Sequence, residues 1–195
     1  MKMPSTKWRH VAWRLSICGA VGWAALGSPP AFAQSAAPTP TGAPDRLQTV
    51  LGQAAQAVGI RRCQAAVEQV AAPMFAQTKR VDIAVDWDHG DPDNEPFFTL
   101  SGLEYQDASA VMSLTTVPSA TGGCSILVER ISSAPMPCKE VARATLAGYR
   151  STSLVRAVTI YVNPARLAET VTLIDSPASC MIIRRQTRFH WVTSR

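Results

Sequence analysis

Between residues 45 and 75 the apolar positions recur at helical spacing. Leu47, Val50, Leu51, Ala54 and Val58 fall on one face, with Asp45 and Gln48 spaced as a capping box and Gly59 interrupting the run. Cys63, Ala66, Val67, Val70 and Met74 follow at i, i+3, i+4, i+7 and i+11, which predicts a second helix with Pro73 near its end. From Lys79 onward the period becomes two and β-branched residues become frequent. Strands are predicted over 81–86, 97–105, 110–117, 124–132, 146–150, 155–162, 169–174 and 180–189, with a short helix starting near Cys138. Turn-forming residues at 118–123, 134–137, 163–164 and 175–179 separate the later runs. Short links between consecutive strands favour antiparallel pairing. The expected class is therefore α+β, with the N-terminal helices packed on a meandering antiparallel β-sheet. After the helices too little chain remains for a membrane barrel of eight spanning strands with aromatic girdles.

The first 33 residues follow a different logic. Lys2, Lys7, Arg9 and Arg14 precede an apolar run from Leu15 to Gly27. Ser28-Pro29-Pro30 breaks that run, and Ala31-Phe32-Ala33 places small residues where signal peptidase needs them. As a helix the run would span only about 20 Å, short of the roughly 30 Å hydrocarbon core, so it reads as a secretory signal rather than an anchor. Residues 34–44, rich in Pro, Thr and Ala, read as a disordered leader, and 45–195 as a single domain. The expected route is the Sec pathway, to the periplasm or the medium. Cleavage also changes the charge. Removing the four leader bases from 19 leaves 15 against 14 acids, so the apparent +5 of the whole chain falls to about neutral. The global case for a nucleic-acid partner goes with it.

Without Cys18 the cysteines number four: Cys63, Cys124, Cys138 and Cys180. An even count in an oxidising compartment implies two disulfides, and the separations of 61, 14 and 42 positions lack the close pairs of a zinc site. A strand from Cys124 to Ser132 runs about 27 Å, farther than the six following residues return, which disfavours Cys124–Cys138. Cys124 and Cys180 each open a strand after a similar small-residue turn, Gly122-Gly123 and Ala178-Ser179. The expected pairs are therefore Cys124–Cys180 and Cys63–Cys138. The run GGCSILVERISSAPMPCKEVA, then GYR, then a late Cys180-led strand, resembles small exported bacterial proteins of unassigned function. The similarity spans roughly residues 97–188 and implies a secreted, disulfide-bonded fold; it supplies no catalytic residues.

Candidate chemistry is sparse. Asp86, Asp88, Asp91, Asp93 and Glu95 crowd ten positions around His89, within a polar stretch over 82–95, and an oxygen-rich loop of this kind can hold calcium. The EF-hand pattern fails, since Gly90 falls at position 5 instead of 6, and Gly, Pro, Asp and Asn are also what an exposed turn prefers. A solvated acidic loop is the expectation, with a divalent-cation site or a small exported enzyme using that loop as the alternative. No G-x-S-x-G or cofactor fingerprint occurs, and only His89 and His190 remain after the leader, so the chain reads as non-enzymatic and without a cofactor. Charge is segregated: residues 81–129 hold nine acids and no Lys or Arg, while 130–195 hold ten bases against Glu140, Glu169 and Asp175. Arg184 and Arg188 share one face of the last strand with Cys180, and Arg130, in the same parity as Cys124, joins them if Cys124 and Cys180 are bonded. Those three form a candidate anion-binding face, whose partner would be an anionic envelope component or an acidic protein. Of the aromatic residues, Trp191 alone is expected to be exposed, the others being core.

Overall fold

The computed structural model describes residues 48–176 and 178–191; the signal segment, the leader and Asp45 lie outside these. Helix α1 (Val50–Ala57) is capped by Thr49, whose hydroxyl accepts the Gly52 N–H at 3.0 Å. The Thr49 N–H and hydroxyl in turn donate to the two carboxylate oxygens of Glu68, at 2.8 and 2.9 Å. A carboxylate at this end also opposes the positive pole of the helix. Gly52 leaves room for it: a Cβ there would meet a Glu68 oxygen. Glu68 belongs to α2 (Gln64–Phe75), which buries Ala66, Val67, Val70 and Ala71. The predicted stripe on α2 holds; on α1 the cap is Thr49, and Val50 faces solvent while Leu51 and Ala55 are buried.

Four strands follow: β1 (Arg80–Asp86), β2 (Phe97–Glu104), β3 (Ser109–Pro118) and β4 (Cys124–Ala134). Helix α3 (Cys138–Thr145) precedes β5 (Arg150–Val155), β6 (Val158–Val162), β7 (Glu169–Ser176) and β8 (Ser179–Trp191). All pairings are antiparallel, in the order β1-β2-β3-β4-β8-β7-β6-β5, so β1 and β5 end an open sheet. The α+β class and six of the eight expected strands agree with the sequence pattern, but two spans differ. Leu146–Arg150 is not a strand: Leu146 is the buried C-cap of α3, and pairing starts at Arg150. The run 155–162 is not one strand either, because Val155 faces Val158 across a hairpin turned by Arg156 and Ala157. Among the described residues no helix is long and apolar enough to cross a membrane.

The three helices cover one face of the sheet. Leu51, Ala55, Val67 and Ala71 pack on Phe97, Leu103, Met112, Leu114, Ile126 and Val128. A second, smaller core sets Val141 and Leu146 on Val171 and Leu173.

These two cores reveal an internal repeat. Each half is a helix followed by a four-stranded meander, and in each a cysteine at the start of the helix is bonded to one at the opening of the fourth strand. The pairs are Cys63–Cys124 and Cys138–Cys180. This corrects the expected Cys63–Cys138 and Cys124–Cys180. Neighbouring antiparallel strands begin at opposite ends, so Cys124 faces Trp191 while Cys180 faces Ala134. Their similar turns mark equivalent positions in the two halves. The β4–β8 register is accordingly almost two-fold symmetric about Glu129 and Arg185, which face each other. One extra residue on β8 breaks the symmetry, at a bulge near Cys124 where His190 has φ 53°.

Candidate functional site

The helix-covered face is left open where the two halves meet. A cleft of about 300 Å³ lies there, walled by Met74 of α2 on one side and Tyr149, just after α3, on the other. Val128 and Val171, both buried, form its apolar floor. Arg130 of β4 and Arg184 of β8 stand over that floor at directly opposed register positions. Side chains at such positions are about 5 Å apart at Cβ, and like charges there repel. Among the described residues neither guanidinium makes an ion pair with a carboxylate. Arg130 is steadied by the Tyr105 ring, 5.3 Å from its guanidinium carbon, and the Tyr105 hydroxyl donates to the Met74 carbonyl at 3.3 Å. Gln186 offers an amide beside them, and Arg166 and Glu169, paired at 3.2 Å, close the rim. The chemistry available is recognition: two forked donors above an apolar floor can share one carboxylate or phosphate.

Of the predicted basic face, the structure brings Arg130 and Arg184 together even though the disulfide invoked to join them is not formed; the strand register does it instead. Arg188 does not line the cleft. Its guanidinium lies 4.7 Å over the ring of Trp191, whose Nε1 donates to Gln69 Oε1 at 3.0 Å. Trp191 is thus half-buried against the larger core, and among the described residues Phe98 and Phe189 are the exposed aromatic ones, correcting the sequence expectation. Arg166, Glu169 and Tyr149 were missed. The Asn163-Pro164 break marked that loop only as a turn, and nothing in the spacing brings it to β8.

The acidic loop turns out to be a structural device. Asp93 Oδ1 accepts the backbone N–H groups of Arg61 and Arg62, both at 2.7 Å, which ties the loop to the turn between α1 and α2. Asp88 Oδ1 accepts the Gly90 and Asp91 N–H groups at 2.6 and 3.0 Å, and Asp91 accepts from the Asn94 amide. The amides of Asp91 and Gly90 hold the Asp88 carboxyl below its ordinary range. Asp86 ends β1 on the face without helices, away from this network, and Glu95 is exposed. Among the described residues no group of three or more His, Cys, Asp or Glu side chains is placed to hold a metal ion. Neither His89, whose ring lies 4.4 Å from that of Trp87, nor His190 lines the cleft. No family model matches the chain, and comparison with curated proteins and with solved structures finds no match either.

Proposed function

We propose that this is a small exported, non-enzymatic binding module that captures an anionic ligand in the cleft between its two halves. The carrying observation is the opposed pair Arg130 and Arg184, two guanidinium groups one strand apart with no carboxylate partner among the described residues. A protein places like charges so only at a cost in stability, and a bound anion offsets that cost. The apolar floor of Val128 and Val171 favours a ligand whose acidic group is attached to an apolar body. Export is supported by the signal-like first 33 residues and by the fact that every later cysteine is bonded. The ligand would then be an anionic component of the envelope or of the medium.

Calorimetric titration with inorganic phosphate and with dodecyl phosphate at low salt tests this reading. Dodecyl phosphate should bind more tightly than phosphate, and Arg130→Glu/Arg184→Glu should weaken it at least about tenfold, the loss expected for a charge-assisted bond. Arg188→Glu, outside the cleft, should change it little. Unaltered binding in the Arg130/Arg184 variant would remove the proposal.

A further inference from the structure

Among the described residues the other face of the sheet carries no helix. One row of register partners crosses it from edge to edge: Asp82, Gly102, Val111, Ile131, Ile183, Thr172, Ile160 and Thr152. Around its apolar centre Leu100 is 52% exposed, Phe98 48% and Met181 41%. A face of this kind, rimmed by polar residues, marks an interaction surface. Its charges specify the partner. At the centre Glu129 and Arg185 form an ion pair at 3.7 Å. On the same face the β1 side carries Asp82, Asp86 and Glu104 against a single base, Arg80, which pairs with Asp82 at 2.8 Å and leaves the side acidic, and the β5 side carries Arg150.

We propose that this face is where a second copy of the chain docks, forming a two-sheet sandwich about a two-fold axis parallel to the strands. That axis reverses the strand order, so β1 of one copy lies over β5 of the other and acidic edge meets basic edge. At the centre Glu129 of each copy comes over Arg185 of the second, turning two ion pairs into an alternating set of four charges. The interface is isologous and closed, and one patch is its own complement. Aligned sheets pack at about 10 Å with their inner faces interdigitating, which suits a central row of Val and Ile. Eight strands at roughly 4.8 Å apart and about 20 Å long offer on the order of 700 Å² per copy, close to the ~800 Å² of a standard interface. Nothing in this rests on the arginine cleft, which lies on the opposite face.

Sedimentation of the full chain, with both disulfides formed, decides the matter at about 100 µM, where a dimer of micromolar Kd is the main species. The expected mass is twice that of the monomer. Glu129→Arg alone should return the monomer, and Glu129→Arg/Arg185→Glu should restore the dimer, because the swap keeps opposite charges over each other. Ile131→Glu should also give the monomer, whereas Arg130→Glu/Arg184→Glu should remain dimeric. Native far-UV dichroism separates dissociation from misfolding. A monomeric wild type overturns the proposal, whether the face is bare or covered by the leader. So does a dimer unmoved by Glu129→Arg and Ile131→Glu.

Discussion

Asp93 shows how one carboxylate can hold two distant pieces of chain in place. Its Oδ1 receives two consecutive N–H groups 31 and 32 residues away, so the acidic loop and the α1–α2 turn are fixed together. Charge-assisted bonds of this sort are worth roughly twice a neutral one. Asp93→Ala should therefore lower stability by about 1–3 kcal/mol in urea denaturation, with little change in the slope. Millimolar calcium should leave the melting temperature of the parent protein unmoved, since the carboxylates of Asp88 and Asp91 already have donors within the loop and that of Asp93 has donors in the α1–α2 turn. Asp88 adds a pH dependence of definite sign. Its folded pKa is depressed, so its turn contributes at neutral pH and loses that contribution as the pH falls through the carboxylate range. The crowding of these acids was visible in the sequence; which backbone amides they meet was not, because Arg61 and Arg62 join them only through the tertiary fold.

At the level of elements, periodicity revealed the strands wherever one face is buried and the other wet. The alternating burial of β2 is the clearest case. It failed over 146–162, where β5 is exposed along its whole length and β6 is half-buried throughout, so neither strand has a period to detect. The turn at Arg156 and Ala157 also lacks the Gly, Asn or Pro that signals a hairpin. The disulfides failed differently. Likeness between Gly122-Gly123-Cys124 and Ala178-Ser179-Cys180 was real, but it reflected repetition of a motif, and repeated positions are related by symmetry without touching. Non-reducing peptide mapping should recover Cys63 with Cys124 and Cys138 with Cys180. The two bridges close loops of 61 and 42 positions. In the chain-entropy model each is worth about 4 kcal/mol, so either Cys→Ser pair should lower the denaturation midpoint substantially.

For the whole molecule, the seam between the halves sets cooperativity and holds the proposed anion cleft. The β4–β8 pairing runs from Cys124 to Ala134 and welds two meanders into one sheet, so neither half presents a finished edge. Unfolding should be a single transition, with far-UV dichroism and tryptophan fluorescence superimposing; separate midpoints would show that the halves melt independently. The charge segregation acquires a spatial meaning here. Its acidic stretch builds the β1 side of the sheet and its basic stretch the β5 side, and of the three ion pairs among the described residues only Glu129–Arg185 joins strands of the two halves. The cleft was not legible because it belongs to neither half. It exists only where residues more than fifty positions apart are brought into register.

The pairing of Cys63 with the next cysteine, Cys124, and of Cys138 with the next, Cys180, has a consequence for biogenesis. A chain delivered N-terminus first into an oxidising compartment presents Cys63 and Cys124 before Cys138 arrives, and Cys180 last. Oxidation in order of emergence then yields the native bonds directly. Were the chain exported as proposed, oxidation in that order would need no reshuffling of bonds, and the first half could be locked by its own bridge while the second is still in transit.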